Sequence, residues 1–135
     1  MPKKKDWTDE ETNPINVALL PLSLEQQPSS LDMVTGPGAP RSYELFLEQV
    51  VLGRAIDADI SVNAAELSRK HIALRRGVHG QYTVVDLDSR NGLYLNGVRV
   101  HAALLHDGDN LQLGTIVFIF REGRGRARVD IGGTP

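Results

Sequence analysis

Short apolar runs separated by turn-forming residues are the feature that most limits what this 135-residue chain can fold into. From residue 30 onward, such runs alternate with clusters of Gly, Pro, Asn and Asp at intervals of about 8–12 residues, which is typical of β-sandwiches. No long segment repeats apolar residues at the helical period, and a parallel sheet would need crossover helices for which there is no room. The sequence therefore predicts an all-β fold, an antiparallel β-sandwich of about ten to eleven short strands.

The predicted strands can be placed from the apolar runs and the breakers between them. Residues 72–75 and 82–85 predict a hairpin, because a Gly-containing turn joins them. The other predicted strands cover residues 31–34, 43–47, 50–52, 60–62, 93–95, 111–113 and 116–120.

Bulk composition narrows the class of protein. Hydrophobic residues make up 41% of the chain, enough for a packed core, and the formal net charge of −2 does not indicate a nucleic-acid binder. The absence of cysteine excludes disulfides and thiolate metal sites. No apolar run reaches the roughly 18 residues of a membrane span, and the first residues lack the apolar segment of a signal peptide. We therefore expect a cytoplasmic protein with no metal and no cofactor.

Polar clusters fall between the predicted strands, where a β-sandwich has its loops. Because loops at one end of a sandwich meet in space, an Arg, a hydroxyl, a second Arg and an Asn can converge on a tetrahedral anion. The pattern predicts a phosphate-binding module. The four clusters are Gly53-Arg54, Ser68-Arg69-Lys70-His71, Asp88-Ser89-Arg90-Asn91-Gly92 and Asn96-Gly97.

These clusters resemble the forkhead-associated (FHA) domain, the phosphothreonine-binding β-sandwich. That family has Gly-Arg, Ser-x-x-His, Ser-x-Asn-Gly and Asn-Gly in this order, and all four elements are present here. The resemblance implies a domain over residues 30–121, between a flexible N-terminal segment, 1–29, and an Arg/Gly tail, 122–135. One departure is Leu93, where the family most often has Thr at a position that usually supports the fold.

The resemblance also implies which residues form the site. The phosphopeptide-binding residues would be Arg54, Ser68, Arg69, Arg90 and Asn91. Those that support the site would be Gly53, His71, Gly92, Asn96 and Gly97.

The chemistry of the side chains leaves some alternatives open. Arg54 can hold two phosphate oxygens at once through its planar guanidinium. The Ser68 hydroxyl can donate to a phosphate or can be satisfied by backbone. Ser68 and His71 suggest a nucleophile pair, but a hydrolase also needs an orienting acid and an oxyanion hole, and no recognisable set is present. Asn91 precedes a glycine, a pair that is also a preferred hairpin turn.

Two functions follow from this interpretation, and neither is enzymatic. The first is a phosphothreonine-peptide-binding adaptor in Ser/Thr kinase signalling, with a phosphorylated protein as partner and a kinase upstream. The second is a phosphate-independent scaffold or assembly subunit that uses the same sandwich.

The two ends of the chain carry further hypotheses. Thr8 and Thr12 lie in an acidic context and are possible phosphoacceptors, although a solubilising tail explains them as well. A phosphorylated Thr12 could occupy an FHA pocket of the same chain or of another copy. The Arg/Gly segment at residues 121–128 is a weak nucleic-acid signal, and we interpret it as a solvated tail.

Overall fold

The protein was analysed as a computed structural model that describes residues 27–123. Within this range the chain forms eleven β-strands and no helix, which confirms the prediction of an all-β fold. The strands are β1 (Ser30–Thr35), β2 (Arg41–Glu44), β3 (Gln49–Gly53), β4 (Ile60–Ser61), β5 (Ile72–Arg76), β6 (Tyr82–Asp86), β7 (Leu93–Leu95), β8 (Val98–Val100), β9 (Ala102–Leu104), β10 (Asn110–Leu113) and β11 (Ile116–Arg121). Among the described residues, then, no helix is long and apolar enough to cross a membrane.

The strands form two sheets. The six-stranded sheet has the order β2-β1-β11-β10-β7-β8, and the five-stranded sheet has the order β9-β6-β5-β3-β4. The predicted hairpin is confirmed, because β5 and β6 pair antiparallel from Ile72 opposite Asp86 to Arg76 opposite Tyr82. The predicted domain boundaries stay a prediction.

One strand pair departs from the antiparallel prediction. Strand β4 pairs parallel with β3, with Leu52 opposite Ile60 and Gly53 opposite Ser61. The sequence could not indicate this direction, because two residues carry no signal for the strand with which they pair.

Two further differences concern the edges of the sheets. Strands β8 and β9 were not predicted, because each has three residues and only one neighbouring strand. Strand β2 ends at Glu44 rather than at residue 47, because the chain turns there toward the other sheet. Leu45 is buried and donates its N–H to Ser29, whereas Phe46 and Leu47 are exposed.

The core lies between the two sheets. Tyr82 and Phe120 meet there edge to face, with ring centroids 6.1 Å apart, and burial raises the pKa of the Tyr82 hydroxyl. Leu93 is completely buried, so this departure from the family pattern supplies an apolar core residue. Other fully buried side chains are Leu31, Met33, Leu52, Leu67, Ile72, Leu74, Leu111, Leu113 and Phe118.

Register places several strand ends side by side. Leu52 near the end of β3 pairs with Ile72, the first residue of β5, and Ile72 pairs with Asp86, the last residue of β6. The loops at residues 54–59, 62–71 and 87–92 therefore leave the five-stranded sheet at the same end.

Candidate functional site

Ser68 joins the three loops at this end. Its carbonyl oxygen accepts the backbone N–H of Arg54 at 3.0 Å, and its hydroxyl oxygen accepts the backbone N–H of Arg90 at 3.0 Å. Because a hydroxyl is both donor and acceptor, the second bond leaves the hydroxyl hydrogen available to a ligand. The two alternatives that the sequence left open for the Ser68 hydroxyl, donation to a phosphate and a hydrogen bond with the backbone, are therefore compatible.

Gly53 is required by the close approach of two backbone segments. A Cβ atom at this position would lie 2.2 Å from the carbonyl oxygen of Arg69. The same carbonyl accepts the N–H of Ala55 at 3.0 Å, and the N–H of His71 binds Leu52 at 2.9 Å. The absence of a side chain at residue 53 thus allows the Arg54 loop to lie against the Ser68 loop.

His71 is completely buried and holds two loops together. Its Nδ1 accepts the backbone N–H of Ser68 at 3.1 Å, so the ring hydrogen is on Nε2, which donates to the carbonyl of Gly92 at 2.9 Å. The imidazole thus binds the Ser68 backbone, while the Ser68 hydroxyl binds Arg90. This arrangement ties the loops together rather than activating a serine.

Ser89 stabilises the turn that carries Arg90 and Asn91. Its buried hydroxyl donates to Asp86 Oδ1 at 2.5 Å and accepts the N–H of Gly92 at 3.0 Å. Gly92 has φ of +81°, a left-handed conformation that favours glycine. The sequence motif contained Ser89, but its partner Asp86 was not among the predicted site residues.

Three of the predicted binding side chains donate hydrogen bonds to three consecutive backbone carbonyls. Arg90 donates Nη2–H to Ala65 at 3.1 Å, and Asn91 donates Nδ2–H to Glu66 at 2.7 Å. Arg54 donates Nε–H to the next carbonyl, that of Leu67, at 3.1 Å. These carbonyls belong to residues 65–67, so the structure brings Arg54, Arg90 and Asn91 together around the loop that carries Ser68.

Glu66 fixes this loop to the other sheet. Its carboxylate accepts the backbone N–H of Thr115 at 2.9 Å and also the Thr115 hydroxyl. These hydrogen bonds lower the pKa of Glu66 below the usual value of 4.5. Because the two residues lie 49 positions apart, no local pattern in the sequence indicated them.

Within residues 27–123, the exposed arginines at this end form no ion pair with an acidic side chain. The ion pairs of the described residues are Arg76–Glu48, His106–Asp109 and Arg121–Asp32. None involves a residue of the loop cluster, the three loops at residues 54–59, 62–71 and 87–92. Arg54, Arg69 and Arg90 are exposed. Because no acidic side chain within residues 27–123 forms an ion pair with them, these guanidinium groups can bind an anion.

Asn96 and Gly97 lie apart from this cluster. Asn96 has φ of +51°, donates Nδ2–H to Asp109 at 3.1 Å and accepts the N–H of Asn110 at 2.9 Å. It thus holds the β7–β8 turn against the loop before β10. The possible phosphoacceptors Thr8 and Thr12 lie outside the described residues. Within residues 27–123, no group of His, Asp or Glu side chains is arranged to hold a metal ion.

Two packed sheets, with exposed Arg side chains and a Ser hydroxyl on loops at one end, define a small β-sandwich module. Comparison with known proteins identifies the module more closely. The model of the FHA domain family matches residues 50–114. The chain belongs to the FHA domain family.

Two relatives illustrate the similarity. An oxoglutarate dehydrogenase inhibitor of Corynebacterium jeikeium is 36% identical over 88 residues, which are 65% of this chain and 60% of that protein. The glycogen accumulation regulator GarA of Mycolicibacterium smegmatis is 35% identical over 88 residues, 65% of this chain and 55% of the relative. The chain thus spans somewhat more than half the length of these relatives.

Solved structures show the same fold. One FHA domain, from a study of phosphothreonine-dependent FHA domain interactions, superposes with a TM-score of 0.63 at 30% identity, covering 69% of this chain and 94% of that one. The FHA domain of FhaA, complexed with the intracellular domain of Rv3910, gives the same TM-score and identity over 69% and 99% of the two chains.

Proposed function

We propose that this protein binds phosphothreonine peptides and acts as an adaptor in Ser/Thr kinase signalling, without catalytic activity of its own. The observation that carries the proposal is the position of Ser68 between Arg54 and Arg90. One residue fixes the backbones of two loops and still has a hydroxyl hydrogen to donate.

The free donors of the cluster suit a phosphate group. Within residues 27–123, the Arg54 side chain makes one hydrogen bond, from Nε–H to Leu67, so both terminal nitrogens of its guanidinium can bind two phosphate oxygens. Ser68 adds a hydroxyl donor, and the exposed Arg69 adds charge from the next position. These three residues would hold the phosphate.

The Ser89–Gly92 turn would bind the peptide around the phosphate. Asn91 donates one amide hydrogen to Glu66 and keeps its second hydrogen and its oxygen for the backbone of an extended peptide. Arg90 would lie beside the phosphate, with part of its guanidinium held by Ala65. Because both side chains are already fixed by carbonyls, little side-chain entropy is lost on binding.

The expected affinity suits reversible signalling. Hydrogen bonds to charged groups contribute roughly 1.5–3 kcal/mol each. Three or four of them, less the cost of ordering an extended peptide, give a Kd of about one micromolar, or about −8 kcal/mol.

The relatives support the proposed kind of partner and the proposed cellular compartment. One similar FHA domain was solved in a study of phosphothreonine-dependent FHA domain interactions, and another was solved in complex with an intracellular domain. The relatives named as an inhibitor and a regulator suggest a role in controlling other proteins. We therefore infer that this chain works in the cytoplasm, on a partner that a Ser/Thr kinase has phosphorylated.

Calorimetric titration with a phosphothreonine peptide and its unphosphorylated twin tests the proposal. We expect binding of the phosphorylated peptide only, weakened by about 10- to 100-fold in Arg54→Ala and in Ser68→Ala. The matched control is Arg75→Ala, which removes an exposed arginine of β5 that binds Gln49 outside the cluster. Equal binding of the twins would contradict the proposal and would favour the phosphate-independent scaffold.

A further inference from the structure

Arg99 is a cation beside the loop cluster that the sequence did not indicate. It lies in the edge strand β8, opposite Tyr94 of β7. Its guanidinium covers the backbone of Gly92, since a Cβ atom at residue 92 would lie 2.7 Å from Nε and 2.9 Å from Cζ of Arg99. The lack of a side chain at Gly92 therefore lets Arg99 lie directly against the turn that carries Asn91.

The charge of Arg99 has no acidic partner among residues 27–123. Arg99 is exposed, whereas Arg121, also in a strand of the six-stranded sheet, lies 3.5 Å from the carboxylate of Asp32. The guanidinium of Arg99 therefore remains available to bind an anionic group of a ligand.

The site proposed above assigns Arg54 and Arg69 to the phosphate and places Arg90 beside it. Arg99 belongs to the six-stranded sheet and lies against Gly92, the residue after Asn91, so it is placed to meet a residue of the ligand beside the phosphothreonine. A guanidinium binds a carboxylate through two parallel hydrogen bonds. The chemistry that suits this position is thus an aspartate or glutamate side chain.

We propose that Arg99 is a specificity-determining residue, which selects phosphothreonine ligands that carry an acidic side chain close to the phosphorylated residue. This inference rests on the proposed function. Because Arg99 is exposed, the preference is modest, and we expect about three- to fivefold tighter binding from one well-placed acidic residue at low salt.

A charge-swap experiment tests the inference. Fluorescence anisotropy would measure binding of labelled phosphothreonine peptides with a neutral Ala/Ser background and one Glu moved through the positions on either side. For the wild type we expect one position at which Glu tightens binding, and for Arg99→Gln no such position. Arg99→Glu should prefer Lys at that same position, which a merely structural role of Arg99 would not produce.

The control variant is Arg75→Gln, which should keep the wild-type preference for Glu. Three results would overturn the inference: a Glu preference that survives in Arg99→Gln, no Glu preference in the wild type, or no change of preference in Arg99→Glu. Failure of the neutral phosphopeptide to bind the wild type would overturn the proposed function and this inference together. Binding of that peptide without any Glu preference would overturn this inference alone.

Discussion

His71 Nε2 lies 2.9 Å from the carbonyl oxygen of Gly92 and joins two loops that are 21 residues apart in the chain. The backbone N–H of Ser68 donates to Nδ1, so each nitrogen of the buried ring has a hydrogen-bonding partner. Replacing His71 by Ala leaves the Gly92 carbonyl without this donor and opens a cavity. We expect His71→Ala to lower the free energy of unfolding by about 2–4 kcal/mol, measured by urea denaturation.

The matched control for this variant is His79→Ala, in the exposed turn between β5 and β6. It should change the free energy of unfolding by less than about 0.5 kcal/mol. Equal stability of the two variants would show that the His71 bonds contribute nothing to holding the loops.

Gly53 gives a steric prediction. In Gly53→Ala, the new methyl group would lie 2.2 Å from the Arg69 carbonyl oxygen, so the two loops must separate. We expect a loss of about 3 kcal/mol in the free energy of unfolding, measured by thermal or urea denaturation, together with weaker phosphopeptide binding.

A second glycine provides the comparison. The nearest atom to a Cβ at Gly77 is 3.6 Å away, an ordinary contact. Gly77→Ala should therefore stay within about 1 kcal/mol of the wild type. A Gly53→Ala protein as stable as Gly77→Ala would refute the close packing of these loops.

Glu66 gives a pH-dependent prediction. Its hydrogen bonds from Thr115 lower its pKa in the folded protein below the usual 4.5, so the ionised form stabilises the fold. That contribution is present above pH 4.5 and is lost as the pH falls through the lowered pKa. The stability difference between wild type and Glu66→Gln should therefore be larger at pH 7 than at acid pH.

Urea denaturation of both proteins over this pH range measures the difference. Glu44→Gln, which changes an exposed side chain of β2, controls for the general effect of removing a carboxylate. A difference between wild type and Glu66→Gln that does not vary with pH would contradict the assigned role of the Thr115 bonds.

The fold, and the loops that come together around Ser68, could be predicted because their signals are local. A strand is indicated by an apolar run of a few residues, and the clusters around Arg54, Ser68 and Asn91 each lie on one loop. What the sequence could not indicate depends on residues that are distant in the chain. The Glu66–Thr115 contact spans 49 positions.

Three other features could not be predicted from the sequence, because they involve backbone atoms or very short strands. The row of carbonyls at residues 65–67 involves backbone atoms, which any residue type supplies. The position of Arg99 depends on the register of β8 against β7, and three residues carry too little pattern to fix it. The parallel pairing of β4 was hidden for the same reason.

The central claim is that residues from three loops gather around one phosphate group. The most direct test is a two-dimensional ¹⁵N–¹H NMR titration of the full chain with a phosphothreonine peptide and with its unphosphorylated twin. We predict that the phosphorylated peptide shifts the amide signals of residues 53–55, 68–71 and 89–92 most strongly, and that the twin leaves them unchanged. Equal shifts with both peptides, or shifts confined to the outer strands of the sheets, would contradict the account.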